Sequence, residues 1–373
     1  MRDFLYICYA LSCLYIVNCS FQTSLFKELN KQYINKNLII SPLSAYQILS
    51  LAANGAEGNT LTEMVSALGG KSLEQLNLIN MKVLSEVKKF STVEIANAIM
   101  PKFVPKQKFV ASGQKYGASI EKLKSVAQVN GWCNAKTHGK INKILDVLPS
   151  EVKMLLLNAV YFKGSWSIPF IESNTMKKPF YNLNDKSKEK KVDRMHNLDD
   201  YFYYEDKEVQ LIRLQYKKDS MSAIVILPNA SKNINEFISE LTDEKLLHLL
   251  KKMHKLKVVL ELPKFELRFS SELNSVLQKL GMKEAFNRNA ANFNGIGGNL
   301  YIDDVIQKTY LKVDEKGTEA AAVTAIRFIP RSFKRKEPKI YSMIVDRPFL
   351  FILRNDKFPL SIGNLFMSKI EKL

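Results

Sequence analysis

The chain has 373 residues, of which 46% are hydrophobic and 25% are charged, and this composition is typical of a globular protein with a buried core. It excludes disordered, collagen-like and low-complexity proteins. Lysine and arginine outnumber aspartate and glutamate by 55 to 37, giving a net charge of +18. Such an excess indicates an acidic partner such as a polyanion and carries no information about the fold.

The chain begins with an uncharged apolar segment, residues 4–17, which ends close to Cys19. This pattern is typical of a secretory signal peptide, and at about 14 residues the segment is shorter than a membrane-spanning helix. We therefore expect a signal peptide at 1–19, a secreted, extracellular domain at 20–373 and no membrane span. The alternative is an uncleaved apolar first helix in an intracellular protein.

Cys133 is the one cysteine outside the predicted signal peptide, because the other three of the four lie within residues 1–19. The predicted mature chain therefore has no internal disulfide and must be stabilised by its core. We expect Cys133 to be a small buried hydrophobic residue and not a nucleophile.

The rest of the chain is predicted to form one domain, because it contains no flexible linker, repeat or long block of like charges. Two helices open it, at 21–32 and 43–54, and Ser41-Pro42 is a suitable start for the second. Period-two alternation predicts strands at 155–162, 222–227, 258–269, 301–313 and 349–354. Further helices, at 234–254 and 271–280, fall between groups of strands, which favours an α+β fold over a doubly wound parallel sheet.

Motifs of known enzyme classes are missing from the sequence. Its four histidines form no H-E-x-x-H pattern, and there is no G-x-S-x-G turn. The glycines of 295–298 precede a predicted strand and so lack the context of a phosphate-binding loop. We therefore expect a protein that is not an enzyme and that binds no metal or cofactor.

The most informative segment is 313–332. If it forms a strand, its side chains alternate between two faces, and one of these faces carries no charge. That face consists of Thr318, Ala320, Ala322, Thr324, Ile326 and Phe328. We expect the segment to be able to insert into a sheet and bury this face, while Glu319 and Arg327 remain in water. A helix is the alternative, which the alanines favour and the Thr, Val and Ile content opposes.

Four motifs, in this order along the chain, resemble motifs of the serpin family. Ser41-Pro42-Leu43-Ser44 resembles the start of a family helix, and 158–166 resembles the family strand that ends at the breach tryptophan, here Trp166. The segment 315–322 resembles the hinge of the reactive-centre loop, and 346–351 resembles the C-terminal signature.

The resemblance implies a metastable α+β fold of three β-sheets and eight or nine helices, with an exposed reactive-centre loop. A serine protease would attack the loop and form an acyl-enzyme, and insertion of the cleaved loop into the large sheet would then trap it covalently. The implied hinge residues are Glu315, Gly317, Thr318, Glu319, Ala320, Ala321 and Ala322. Their small size and the uncharged face favour an inhibitor, because burying a charge there would cost several kcal/mol.

Counted from Gly317 by the family convention, the reactive bond joins Arg331 to Ser332. Arginine before the bond predicts a trypsin-like serine protease as target, since the pocket of such a protease carries a carboxylate. The adjoining Pro330 and the basic residues that follow suggest an exposed, cleavable segment. Lys334 and Arg335 are alternative cleavage sites.

The resemblance also implies a shutter, a polar network beneath the point of insertion. Its residues are Ser41, Ser44, Asn158 and Gln307. Gln307 stands where many relatives have a histidine, and an amide can likewise donate and accept hydrogen bonds.

Three basic runs, 186–191, 251–257 and 334–336, could bind a glycosaminoglycan that accelerates inhibition, although an ordinary solvated face is the alternative for each. Asn229, in Asn-Ala-Ser, is predicted to be glycosylated if the chain is secreted. We expect no nucleic-acid partner. A non-inhibitory serpin and a glycosaminoglycan-binding protein remain the alternative functions.

Overall fold

The structure, a computed structural model, describes residues 20–89, 92–318 and 339–373. The helices of these residues are α1 (Ser20–Gln32), α2 (Pro42–Ala53), α3 (Gly58–Ala67), α4 (Leu73–Val87), α5 (Gln107–Tyr116), α6 (Val126–Lys136), α7 (Ile234–Glu240), α8 (Asp243–Lys251), α9 (Asn274–Lys279) and the single turn α10 (Leu360–Gly363). In this part of the chain no helix is long and apolar enough to cross a membrane.

In the described part of the chain, strands and helices follow one another in no regular alternation. They are β1 (Leu38–Ile40), β2 (Val93–Pro101), β3 (Ser119–Ile120), β4 (Met154–Phe162), β5 (Gly164–Ser165), β6 (Met176–Tyr181), β7 (Glu189–Glu205), β8 (Val209–Gln215), β9 (Met221–Pro228), β10 (His254–Pro263), β11 (Phe265–Glu272), β12 (Asp304–Val313), β13 (Gly317–Thr318), β14 (Ile340–Ile344), β15 (Phe349–Asn355) and β16 (Asn364–Ile370).

The strands form three sheets. The five-stranded sheet has the order β11-β12-β4-β2-β3, with β4 and β12 as parallel neighbours. The nine-stranded sheet has the order β1-β16-β15-β9-β8-β7-β10-β14, with β6 paired to β7. The third sheet is the antiparallel pair of β5 and β13. The predicted α+β class with three sheets is therefore confirmed.

Strand β4 is the most deeply buried strand of the five-stranded sheet, because both of its faces are covered. Leu156 and Val160 pack into the main core, whereas Leu155 and Leu157 face a second cluster that contains Cys133 of α6. This double coverage explains why the strand reads as a continuous apolar run. Cys133 is buried as expected, and burial raises the pKa of its thiol to about 11, so the thiol is unreactive.

Helix α2 begins where the sequence predicts, with Pro42 in its first turn. Every residue of the helix is buried, and α2 contacts β2 and β4 of the five-stranded sheet. The side chain of Ser41 accepts no capping hydrogen bond. Its backbone is held instead by a side chain of β12, which makes the start of α2 part of the shutter described below.

The predicted strand at 258–269 is wrong as a single element, because β10 and β11 belong to different sheets. β10 ends at Pro263, and Lys264 separates it from β11. The buried apolar positions are even-numbered up to Leu262 and odd-numbered from Phe265, so the alternation changes phase at this corner, a signal that the prediction of one strand overlooked.

The predicted helix at 234–254 is likewise two helices, α7 and α8. The hydroxyl of Thr242 accepts a hydrogen bond from the backbone N–H of Lys245 and so caps a new helix. His254 already belongs to β10. The helix predicted at 271–280 and the strand predicted at 301–313 begin later than expected, at Asn274 and Asp304.

Candidate functional site: hinge, breach and shutter

The hinge begins with a tight reversal of the chain at the end of β12. Asp314 donates its backbone N–H to the carbonyl of Gly317 (2.9 Å), and Gly317 donates to the carbonyl of Asp314 (3.2 Å). The carboxylate of Asp314 accepts a further bond from the backbone N–H of Lys316 (3.0 Å). After this turn, Gly317 and Thr318 pair antiparallel with Ser165 and Gly164 of β5.

Gly317 is required by the geometry of this pair. Its φ of +150° is a backbone conformation that side chains with a Cβ rarely adopt. A Cβ built on Gly317 would lie 2.0 Å from the carbonyl oxygen of Gly164. Any other residue at position 317 would therefore force the two strands apart.

Thr318 lies completely inside the protein, with 0% of its surface exposed. Its Oγ1 is 2.7 Å from the hydroxyl of Tyr216, and the ring of Tyr216 stacks on the indole of Trp166 with centroids 4.3 Å apart. Burial raises the pKa of Tyr216 well above its ordinary value, so the phenol remains neutral and able to donate.

Trp166, the residue expected at the breach, holds the turn from below. Its indole Nε1 donates to the carbonyl of Asp314 (3.0 Å), and its backbone N–H donates to the carbonyl of Lys316 (3.0 Å). Trp166 is therefore in direct contact with the hinge, as the resemblance implies. Tyr216, which links Trp166 to Thr318, was not expected, because an isolated tyrosine after a strand carries no distinguishing pattern.

Glu315 anchors the hinge through its side chain. The carboxylate is almost fully buried and forms an ion pair with the ammonium of Lys264 (2.9 Å). It also accepts a hydrogen bond from the hydroxyl of Thr175 (2.7 Å). Burial by itself would raise the pKa of Glu315, but the hydrogen bonds from Lys264 and Thr175 outweigh burial and the pKa is lowered. Sequence patterns give no signal for either partner.

The shutter is a buried network of amides that crosses three strands of the five-stranded sheet. Gln307 of β12 accepts from the backbone N–H of Ser41 (2.7 Å) and donates to its carbonyl (3.0 Å). The same amide donates to Oδ1 of Asn158 on β4 (2.8 Å). Asn158 in turn donates to the hydroxyl of Ser44 and to Oδ1 of Asn97 on β2 (2.6 Å).

The geometry brings all four implied shutter residues together and adds Asn97. The network ties the start of α2 to neighbouring strands β4 and β12, and none of its side chains is titratable. Gln307 makes three hydrogen bonds in this network, which requires both functions of its amide.

The remaining part of the predicted loop lies outside the described residues. This applies to the hinge positions Glu319, Ala320, Ala321 and Ala322 and to the predicted bond between Arg331 and Ser332. The described chain resumes at Lys339 and enters β14, the parallel neighbour of β10 at the edge of the nine-stranded sheet.

Two other predicted sites lie far along the chain from the hinge. Asn229 follows the last residue of β9, and its amide donates to the carbonyl of Lys207. The basic run 251–257 extends from the end of α8 into β10. Ile340 pairs with Lys257, so the neighbouring Lys339 joins this basic run from a distant part of the sequence.

Curated relatives cover most of this chain. It is 30% identical to Intracellular coagulation inhibitor 2 of Tachypleus tridentatus, over 91% of this chain and 86% of that protein. It is also 30% identical to Leukocyte elastase inhibitor of Equus caballus, over 95% of this chain and 98% of that protein.

These relatives correct the expected localisation. The Tachypleus tridentatus protein is named as intracellular, and the similarity to intracellular relatives contradicts the expectation of a secreted, extracellular protein. Residues 1–19, on which that expectation rested, lie outside the described structure. Glycosylation of Asn229 was expected only for a secreted chain and stays an untested prediction.

A solved structure and a family model both match this chain over most of its length. The native state of tengpin, a thermophilic serpin, superimposes with a TM-score of 0.85 at 30% identity, covering 97% of this chain and 94% of that one. The family model Serpin (serine protease inhibitor) matches residues 17–369. Because this model covers nearly the whole chain, the chain is a member of the serpin family.

Proposed function

We propose that this chain inhibits trypsin-like serine proteases by a suicide mechanism. In this mechanism the protease cleaves the bond between Arg331 and Ser332, and the cleaved loop then inserts between β4 and β12. The observation that carries the proposal is the complete burial of Thr318 in a strand that runs antiparallel to the continuation of β4.

The buried position of Thr318 fixes which face of an inserted strand would be covered. Since side chains alternate along a strand, the next residues on that face are Ala320, Ala322, Thr324, Ile326 and Phe328. None of them is charged, so the strand could continue into the sheet without burying an unpaired charge. The two charged residues of this stretch, Glu319 and Arg327, belong to the opposite face.

The sheet itself supports insertion. β4 and β12 are parallel neighbours, paired from Asp304 with Leu155 to Tyr310 with Tyr161. A strand that continues from Thr318 would run antiparallel to both of them. Insertion would thus replace one parallel ladder by two antiparallel ladders, and antiparallel pairing is the more stable kind per residue.

Arg331 supports trypsin-like specificity, because a guanidinium pairs with the carboxylate at the base of the pocket of such a protease. Lys334 and Arg335 would satisfy the same pocket. Arg331 is preferred over these two residues because of its distance along the chain from Gly317, and mapping of the cleavage site tests this choice.

The test is incubation of the purified chain with trypsin, followed by denaturing gel electrophoresis and N-terminal sequencing of the released fragment. A band at the summed mass of the two proteins, with a fragment that starts at Ser332, is the expected result. Cleavage without such a band would overturn the inhibitory mechanism. A fragment starting at Lys336 would refute Arg331 and move the bond to Arg335.

A matched pair of hinge variants separates insertion from mere cleavage. Thr318→Arg places a charge on the face that must be buried, whereas Glu319→Arg places the same charge on the opposite face. We expect Thr318→Arg to be cleaved by trypsin without forming the complex, and Glu319→Arg to form it as the wild type does. Equal behaviour of the two variants would contradict the assigned face.

A polyanion is the second proposed partner, on a separate observation. The register places Lys339 opposite Leu256, so its side chain lies on the other face from Lys255 and Lys257, and this end of the two adjacent strands carries basic residues on both faces. Heparin is the test polyanion. We expect it to bind and to accelerate trypsin inhibition, and to do so less when Lys255 and Lys339 are both replaced by glutamine; unchanged affinity would reject this surface.

A further inference from the structure

A cavity of about 360 Å³ opens where strands β7 and β8 part. The two strands are paired from Glu205 with Gln210 to Phe202 with Arg213. Beyond Phe202, β7 continues beside β10, while β8 continues beside β9. The segment after Trp166 forms a third wall, because the N–H of Ser167 donates to the carbonyl of Gln215 (2.7 Å).

Three of the ten residues that line this cavity are aromatic. Trp166, Tyr201 and Phe202 all line it. Its volume lies at the lower end of the range typical of small-molecule sites, roughly 300–1,000 Å³. Trp166 and Tyr201 are 1% and 4% exposed, so the partly exposed ring of Phe202 offers the main surface against which a flat ligand can pack.

The charged groups of the cavity favour an anion. Two cations, Arg213 and Lys255, line it together with one carboxylate, Asp200. Among the described residues none of the three takes part in an ion pair. The guanidinium of Arg213 lies over the ring of Phe202 at 5.2 Å, and its Nε is buried without a hydrogen-bond partner within the described part of the chain.

We propose that this cavity binds a small aromatic anion, which packs against Phe202 and accepts a hydrogen bond from Arg213. An unpaired, part-buried guanidinium is costly by itself, and a carboxylate or sulfonate would supply the missing acceptor. Nothing in the inhibitory mechanism uses Arg213, so this site is independent of the reactive bond.

The cavity is connected to the hinge through one side chain. Trp166 forms part of the cavity wall, and its indole also stacks on the ring of Tyr216 and donates to the carbonyl of Asp314. A ligand that packs on Trp166 would therefore stabilise the contacts that hold Thr318. Resting on the proposed function, we infer that occupancy holds these first inserted positions in place and so raises the rate at which trypsin is inhibited.

Binding can be measured without any protease. The probe is 8-anilino-1-naphthalenesulfonate, and its matched control is N-phenyl-1-naphthylamine, which has the same rings without the sulfonate. In a Trp132→Phe background, Trp166 is the remaining tryptophan, so energy transfer to the bound probe reports this cavity. We expect saturable binding of the sulfonate, with the neutral amine bound about tenfold more weakly for want of the charge-assisted hydrogen bond.

Three variants assign the anion site. Arg213→Gln should weaken sulfonate binding about tenfold, and Lys255→Gln, at an exposed position, about threefold. Arg268→Gln is the matched control, because Arg268 also lies over an aromatic ring, that of Tyr310, but lines no part of this cavity. We expect its affinity to remain within about twofold of wild type, since exposed pairs contribute little.

The proposal is overturned if both probes bind equally, or if Arg213→Gln and Lys255→Gln bind the sulfonate as tightly as Arg268→Gln does. Lys255 is exposed, so its variant tests the site even if the Arg213 variant unfolds. The coupling has its own test, the rate of trypsin inhibition at saturating sulfonate. An unchanged rate refutes the coupling, and a failure of the wild type to inhibit at all concerns the proposed function and leaves the binding result intact.

Discussion

The ion pair between Glu315 and Lys264 should be the strongest single restraint on the hinge. The carboxylate side chain is 7% exposed and the lysine side chain 36%. Removing one partner of a fully buried pair costs about 3–5 kcal/mol, and exposed pairs contribute about 0–1 kcal/mol. For Lys264→Met, which leaves the carboxylate with Thr175 as its remaining side-chain partner among the described residues, we expect about 2 kcal/mol, between the two limits.

The expected loss can be read from thermal unfolding. An unfolding entropy of about 2.1 cal/mol/K per residue gives roughly 0.7 kcal/mol/K for a folded chain of this size, so 2 kcal/mol lowers Tm by about 3 °C. Glu315→Gln should cost less, because the neutral amide oxygen can still accept from Thr175 and the freed lysine can reach water. The double variant should be closer to Glu315→Gln than to the sum of the two losses.

The pH dependence follows from the lowered pKa of Glu315. A carboxylate whose pKa is lower in the folded state stabilises the fold above its unfolded pKa, and this stabilisation is lost as the pH falls through the folded value. The Tm difference between wild type and Lys264→Met should therefore be full at pH 7 and should shrink below the ordinary pKa of 4.5.

An exposed ion pair close by provides the control. Lys316 and Glu172 are 3.1 Å apart, with side chains 42% and 65% exposed, so Lys316→Met should change stability by less than about 0.5 kcal/mol. The reasoning is refuted if Lys264→Met is as harmless as Lys316→Met. It is equally refuted if the losses of Lys264→Met and Glu315→Gln simply add.

Three further predictions concern the hydrogen bonds and charges around the site. Tyr216→Phe and Thr318→Val should each lower the Tm, since each leaves a buried hydroxyl without its partner at a cost of about 1–3 kcal/mol, whereas the double variant should be close to wild type; additive losses would contradict the 2.7 Å contact. Gln307→His should make the Tm depend on pH between about 5 and 8, because histidine titrates there and the wild-type shutter has no titratable side chain. A variant with the same pH profile as wild type would show that position 307 is not coupled to folding. Burial raises the pKa of Asp304, and burial together with the charge of Asp304 raises that of Glu272, so their ionisation destabilises the fold as the pH rises. Asp304→Asn should therefore raise the Tm at pH 7 and have less effect at pH 4, as scanning calorimetry at the two pH values would check.

The positions of the hinge and shutter were accessible from sequence because they lie in short runs with a fixed order. Gly317, Trp166 and Asn158 were assigned from such runs, and the structure places the indole of Trp166 against the turn that contains Gly317. Their partners were not accessible in this way. Tyr216 and Lys264 are single residues that directly follow β8 and β10. They reach the site through tertiary packing, and nothing near them in the sequence marks them.

Secondary structure was predictable where a helix or strand has the same surroundings along its whole length. Helix α2 and strand β4 were placed correctly, because the first starts at a proline and the second is apolar except for Asn158. Strands β10 and β11 were merged, since an alternating pattern reports burial and does not report which sheet supplies it. The residue between the two strands is Lys264, which also forms the ion pair with Glu315. The merged prediction placed Lys264 inside a strand and therefore missed its role at the hinge.

On the proposed mechanism, insertion of the loop has two stages, a start at the hinge and an advance past the shutter. At the top of the sheet, Gly317 and Thr318 already occupy the first positions of the new strand, so insertion can begin without separating β4 from β12. Further down, Gln307 and Asn158 are hydrogen-bonded directly across that parallel pair, and this bond must break before the strand can advance. The network beneath it is neutral and buried. Opening it therefore leaves polar groups without hydrogen-bond partners, and no ion pair compensates for that loss.

The cost of opening the shutter is transient, because an incoming strand would supply new backbone partners to β4 and β12. The exchange of one parallel ladder for two antiparallel ladders is permanent. A kinetic barrier, and not an equilibrium preference, would therefore keep the sheet at five strands in the native state. It follows that changes at the shutter should alter the rate at which the loop advances, whereas changes at Glu315, Thr318 or Tyr216 should alter how often it starts.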